Sequence, residues 1–352
     1  MNVIKDGGVG KRPVLSVVMP FYNAEAFIVK ALESLEAQTF GDWELVAVDD
    51  GSTDASAAIV RDFMKSDSRI RLFSMPSHTG AAYQPRKKAV IEARAAFVAL
   101  FDADDLIAPD YLGRLVDRQK STGADIIYPV MYHFDDDSNP RARRHYGILG
   151  EADGVFAGRD LVKYTLDLWR INCGGGLLRR QLFIDAFGRY GSSYDLVYAD
   201  ELLTRQMLLA ASRVAFSDAE YYYRQNLSSV THRKSLKQFD RLRNNVYLHR
   251  LVTANYSHDS EEVRRMNCQL FKFVFDAARH LNRCRFSRSE VKDAYAIMRS
   301  NIDLIDRRVL RPAVTAKYYY TLFCLKDNLT LFRLVLKYGD RLRSLFVKLL
   351  YL

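Results

Sequence analysis

Cysteine is scarce in this chain, with 4 residues in 352. Cys173, Cys268, Cys284 and Cys324 show neither paired nor metal-ligand spacing. That argues against a disulfide scaffold or a cysteine-bound zinc, and it fits reduced thiols in a cytosolic protein. Histidine is sparse too, 7 in all, and His78, His133, His145 and His232 are scattered, so no histidine-built metal centre is expected. No stretch of about 18 apolar residues occurs, and no membrane span is expected. Residues 1–12 lack the apolar core of a signal peptide, so we expect no export. Internal repeats and low-complexity tracts are absent. The glycine run Gly174–Gly176 is not followed by Gly-Lys-Ser/Thr, which leaves a structural turn rather than a phosphate loop.

What is present is the composition of an ordinary folded protein, 49% hydrophobic and 27% charged. The net charge of +10 is unevenly spread. From Arg233 onward there are 25 Lys and Arg against 11 Asp and Glu, whereas residues 1–232 carry 27 against 31. An acidic first part suggests chemistry; a basic tail suggests anchoring or an anionic partner. We expect a flexible stretch over 1–12, a catalytic domain over 13–232 and a basic helical module over 233–352.

Hydrophobic periodicity alternates in the first part. Short apolar runs at 14–20, 43–49, 70–74 and 96–101 read as buried strands. Residues 24–37 place Phe27, Ile28, Ala31, Leu32 and Leu35 at helical spacing. Further helices are expected at about 56–65, capped by Ser52 or Thr53, and at 84–95, with Pro85 tolerated near its start. Alternating strands and helices imply an α/β fold with a mostly parallel sheet. Ligands of such sheets bind beyond the carboxyl ends of the strands. Residues 121–232 are less regular, apart from a helical patch at ADELLTRQMLLA. Beyond about Ser235 the pattern is helical, and Ser287 with Glu290 forms a capping box.

Two acidic clusters fall at strand ends. In DADD (102–105), Asp102 and Asp104 share a face if the backbone is extended, and two converging carboxylates call for a cation such as Mg²⁺ or Mn²⁺. The plain alternative is a polar turn in which Asp105 caps the next helix. In VVMPFYNAEAF and VAVDDGSTD, the Tyr22 ring can stack on a base and Asp50 can accept from an imide N–H. Here the plain alternative is turn punctuation.

Taken in order, VLSVVMPFYNAEAF, VAVDDGSTD, FVALFDADD, ADELLTRQML and YYYRQNLSSVT resemble the glycosyltransferases of family 2, over roughly residues 13–232. The resemblance implies a GT-A, Rossmann-like fold and an inverting, metal-dependent sugar transfer from a nucleotide-sugar, most often a UDP-sugar. It implies donor contacts from Pro20, Tyr22, Glu25, Asp50, Arg86, Asp102, Arg224 and Ser229, with Tyr22 and Asp50 on the base. It implies metal ligation by Asp104 and Asp102, and Asp200 as general base with Glu201 as its rival. Departures are Lys87 for the usual asparagine, the intruding Pro85, and Ala199 where the family commonly has Glu. The processive Gln-x-x-Arg-Trp signature is absent, since neither Trp43 nor Trp169 has that context.

The expected acceptor is a saccharide or lipid-linked saccharide of cell-surface polysaccharide synthesis. At the C-terminus Leu334, Tyr338, Leu342, Leu345 and Leu349 form a stripe flanked by Arg333, Lys337, Arg341 and Lys348. Such a helix meets an anionic membrane surface from the cytoplasmic side, or packs on protein, including a second copy of the chain. Nucleic acid is not an expected partner. A relative that has lost catalysis and only binds sugar nucleotides is the rival function, and Asp50, Asp102, Asp104 and Asp200 argue against it.

Overall fold

A computed structural model of the chain describes residues 12–135, 137–141, 143–144, 154–166, 174–189, 198–225 and 239–310. The chain divides into two compact units. The first comprises residues 1–158, 173–191 and 210–226; the second comprises 159–172, 192–209 and 227–352.

The first unit begins as the alternation predicts. Its elements are β1 (Leu15–Phe21), α1 (Ile28–Glu36), β2 (Trp43–Asp49), α2 (Ser56–Ser66), β3 (Ile70–Ser74), α3 (Tyr83–Glu92) and β4 (Phe97–Leu100). All four strands are parallel, in the order β3-β2-β1-β4. Every residue of β1 and β2 is buried, because both lie inside the sheet. Leu15, Val17, Met19, Leu45 and Ala47 join Ile28, Ala31, Leu32 and Leu35 of α1 in one core. Full burial of each large side chain contributes about 1.5–3 kcal/mol.

Helix boundaries moved where side chains captured backbone. α1 starts at Ile28 rather than 24, since the Ala24 N–H donates to Ser56 Oγ (2.8 Å) and the Glu25 N–H to Asp54 Oδ2 (3.1 Å). α3 stops at Glu92 rather than 95. Ala93 turns extended, and the Arg94 N–H donates to Glu44 Oε1 at 2.7 Å.

The weakly patterned stretch supplies the rest of the sheet. β5 (Leu106–Ile107) and α4 (Tyr111–Thr122) lead into β6 (Ile126–Phe134). The short strands β7 (Arg143–Arg144) and β8 (Val155–Phe156) and the turn of helix α5 (Gly158–Leu161) come next. Then follow β9 (Leu177–Arg179), α6 (Arg180–Arg189), α7 (Ala199–Ala210) and β10 (Val214–Arg224). The main order is β3-β2-β1-β4-β9-β6-β10-β5, with β7 on β6 and β8 on β10. β6 and β10 are parallel, whereas β9 is antiparallel to both β4 and β6, so the sheet is mixed. The glycine run serves close packing here. At Gly175 (φ +72°) a Cβ would lie 2.7 Å from the Tyr221 ring, and at Gly176 one would lie 2.8 Å from the Ile127 carbonyl oxygen.

The second unit is helical in its described part. α8 (Asp240–Asn255), α9 (Glu261–Arg283) and α10 (Arg288–Ile302) precede the single turn α11 (Arg307–Leu310). Ser260 caps α9, and the predicted Ser287–Glu290 capping box opens α10. Leu248, Val252, Met266, Leu270, Val274, Ala294 and Met298 are buried in this unit. Buried amides cross-link it: Gln269 donates to Asn245 (3.0 Å) and Asn301 to the Leu242 carbonyl (2.9 Å). The amphipathic stripe from Arg333 to Leu349 lies outside the described residues.

One buried acid ties the amino ends of the first unit's strands. Glu44 accepts from Ser16 Oγ (2.7 Å), Arg71 Nη1 (3.0 Å) and the Arg94 N–H, and the Ala95 N–H in turn donates to Ser16 Oγ (3.1 Å). Glu44→Leu removes the acceptor these donors share, leaving Arg71 only the Glu92 carbonyl, and should destabilise the protein by about 2–4 kcal/mol. An unchanged urea midpoint and slope would contradict this.

Candidate active site

The carboxyl ends of β1, β2 and β4 meet at one edge. Phe21 pairs with Asp49 in register, the Asp50 N–H donates to the Phe21 carbonyl (2.8 Å), and the Phe101 N–H to that of Val18 (3.1 Å). Pro20 is buried within β1 opposite Val48. The two loops leaving β1 and β2 are stitched together. Asn23 (φ 47°) donates its N–H to Ser52 Oγ (3.0 Å) and accepts from the Thr53 N–H (2.8 Å). Ser52 and Thr53 therefore do not cap α2, contrary to expectation. Ala55 is the N-cap residue, its N–H reaches Glu25 Oε2 (2.9 Å), and Asp54 Oδ1 takes the Ser56 N–H (3.0 Å). Glu25 thus helps to close the start of α2.

Asp50 is almost fully buried at this edge. Its carboxylate accepts from the Thr79 N–H (3.1 and 3.2 Å) and the Thr79 hydroxyl (3.0 Å). His78 Nδ1 lies 2.9 Å from Asp50 Oδ2. The His78 ring stacks on Tyr22 with centroids 3.7 Å apart and planes 18° from parallel.

DADD is a turn beyond the strand rather than its continuation. β4 ends at Leu100, and the Asp105 N–H closes the turn on the Asp102 carbonyl at 3.1 Å. Asp102 and Asp104 are half-buried, whereas Phe101, Ala103 and Asp105 are buried, so the first two acids reach the surface together. Arg86 Nη2, from α3, donates to Asp102 Oδ1 at 2.8 Å.

β10 grips this turn from inside. The Tyr221 hydroxyl accepts from the Asp102 N–H (3.2 Å) and donates to Asp105 Oδ2 (2.5 Å). The Arg224 N–H donates to Asp105 Oδ1 (2.8 Å), and Arg224 Nε to the Asp104 carbonyl (2.7 Å). The Arg224 guanidinium also pairs with Asp137 and lies over Phe134 and Phe27, 4.5 and 5.0 Å from their centroids. Its Nη2 is buried without a hydrogen-bond partner. Asp105 does not cap a helix; α4 begins only at Tyr111. Burial, reinforced by the neighbouring carboxylates of Asp104 and Asp102, pushes the Asp105 carboxyl well above the usual range. Burial likewise raises Tyr221, with Asp105 adding to it.

Asp200 lies in the second unit, in the first turn of α7. Tyr198, just before it, takes φ +74°, which a bulky side chain seldom adopts. Glu201 is fully buried, accepts from Arg241 Nε at 2.9 Å, and lies 3.7 Å from Arg205 Nη1. Burial raises its carboxyl, with Arg241 and Arg205 pulling the other way. Asp200 is half-buried, and its carbonyl accepts from Thr204 Oγ1 at 2.8 Å. Ser229 lies outside the described residues.

Residues 16–187 match the family Glycosyl transferase family 2. This stretch belongs to that family. Glycosyltransferase GlyG of Streptococcus pneumoniae is 26% identical over 62% of this chain and 72% of that protein. The putative teichuronic acid biosynthesis glycosyltransferase TuaG of Bacillus subtilis is 37% identical, over 29% of this chain and 40% of its own length. Among solved structures, S. aureus TarS 1–349 in complex with UDP-GlcNAc aligns with a TM-score of 0.68 at 20% identity, over 93% of this chain and 91% of that one. At that identity the likeness speaks for the fold alone.

The first unit, which holds the family 2 stretch, brings together Pro20, Tyr22, Glu25, Asp50, Arg86, Asp102, Asp104 and Arg224. His78, Thr79, Asp105 and Tyr221 were missed by sequence reasoning. A histidine in a loop carries no periodic signal, and Tyr221 stands in a run of three tyrosines that residue type does not tell apart. The glycine run was the available clue to Tyr221, since consecutive glycines mark a close approach. Tyr221→Phe removes one hydroxyl and strands the Asp102 N–H and Asp105 Oδ2. We expect a stability loss of about 1–3 kcal/mol by denaturant titration. Wild-type stability would show that the phenol does not hold the turn.

Proposed function

We propose that the protein is an inverting transferase that moves a sugar from a nucleotide-sugar, a UDP-sugar, to a hydroxyl of a saccharide acceptor. The observation that carries this is the shared edge where Tyr22, Asp50, Arg86 and the DADD turn come together. A flat aromatic surface with a buried acid suits a base bearing an imide N–H. Arg86 and the buried, unpartnered Arg224 Nη2 suit phosphate oxygens. The similarity to TuaG, a putative teichuronic acid biosynthesis glycosyltransferase, supports a polysaccharide-building role.

Asp102 and Asp104 fit a hard divalent cation, Mg²⁺ or Mn²⁺. Both are carboxylates, and both reach the surface of one short turn. Among the described residues no cluster of three or more acidic, histidine or cysteine side chains forms a ligand set, so diphosphate oxygens and water would complete the shell. A bound cation would offset charge on the departing diphosphate. Arg86, already paired with Asp102, holds that carboxylate in position.

In the transfer, the acceptor oxygen bonds to the anomeric carbon as the bond to the diphosphate oxygen breaks, and the hydroxyl proton passes to a carboxylate. We assign that base to Asp200. Glu201 is engaged by Arg241 and Arg205 and withdrawn from solvent, whereas Asp200 is half-buried, which favours Asp200 of this pair. The strained φ of Tyr198 supports a functional constraint at this corner.

Transfer from UDP-sugars in the presence of Mn²⁺ tests both assignments. Asp104→Ala, or excess chelator on the wild type, should abolish turnover; full activity in chelator would refute the cation role. Asp200→Asn should retain UDP affinity while kcat falls at least about a hundredfold. Near-normal turnover there, with Glu201→Gln inactive, would instead make Glu201 the base.

A further inference from the structure

We propose that His78 holds the nucleobase's place in the ligand-free protein and sets donor affinity by having to leave it. The inference rests on the base-binding role proposed above for Tyr22 and Asp50. A base bound there would stack on Tyr22 and donate a ring N–H to Asp50. The His78 imidazole makes both contacts itself: its ring lies 3.7 Å from that of Tyr22, nearly parallel, and its Nδ1 is 2.9 Å from Asp50 Oδ2. Nδ1 also lies 3.2 Å from the Asp50 main-chain oxygen. A base on this face of Tyr22 and the imidazole cannot occupy the same volume.

The surrounding backbone makes the side chain the mobile part. The Thr79 N–H and hydroxyl are bound to the Asp50 carboxylate. Behind the loop, Gly51 (φ +80°) passes so near that a Cβ there would lie 3.1 Å from the His78 main-chain nitrogen. The 78–79 main chain is thus held against the turn after β2, while the His78 side chain is 42% exposed and can rotate into water. Rotation frees the Tyr22 face and one position on Asp50 and leaves the Thr79 bonds in place. Nucleotide then binds only the rotated population, so apparent affinity is reduced by that fraction.

Calorimetric titration with UDP tests this on the full chain. His78→Ala should bind UDP about three- to tenfold more tightly than wild type, the factor a stacked ring pair is worth. Unchanged or weaker binding would overturn the proposal, weaker binding making His78 a wall of the site instead. Tyr22→Ala should weaken UDP binding; if it does not, the base-site assignment fails, whatever His78 does. A second measurement needs no His78 variant. In wild-type protein the His78 ring protons should show an upfield NMR shift from the Tyr22 ring that UDP relieves. A shift that persists at saturating UDP would mean that the imidazole stays stacked.

Discussion

The candidate site at the sheet edge depends on a carboxyl group buried behind it. Asp105 is buried behind the DADD turn, and its two oxygens take the Tyr221 hydroxyl and the Arg224 N–H. Those bonds join a turn near residue 100 to a strand more than a hundred residues later. A buried acid without such donors would be costly. With them, the turn has one conformation, in which Asp102 and Asp104 reach the surface while Asp105 does not.

The same economy of contacts recurs around the edge. Arg86 joins α3 to Asp102, Arg224 joins β10 to the Asp104 carbonyl, and Thr79 joins the loop before α3 to Asp50. Asn23, Glu25 and Ser52 stitch the first two loops together. Asp50, Arg86, Asp102 and Arg224 are therefore positioned by four different parts of the first unit. Preorganisation of this kind suits a site that must hold a polyanion and govern the departure of a diphosphate.

At the opposite ends of the strands Glu44 plays a purely structural part, gathering Ser16, Arg71 and the Arg94 N–H. Acids thus stand at both ends of one sheet in different surroundings. Exposure separates them: Asp102 and Asp104 are half-buried, and Glu44 is sealed in by its donors. Acids in α7 divide in the same way, with Glu201 sealed by two arginines and Asp200 left at the surface.

The first four strands, their helices and the acids at their ends were legible in the sequence. Their signal is local: apolar runs of strand length, helical spacing, and turn residues directly after. Much of β6 and β10 was not legible, because their tyrosines and charged residues follow no clean alternation and one face is only partly covered. The positions of β9 and of the glycine run were equally hidden, since an antiparallel strand between parallel neighbours is set by what it packs against. Sequence alone determined which acids follow those strands, since residue type and order suffice for that. Only the tertiary structure decided that Glu25 closes a helix, that Tyr221 and Asp105 hold the DADD turn, and that His78 lies on Tyr22. Those roles come from contacts between residues far apart in the chain, and no local pattern encodes such distances.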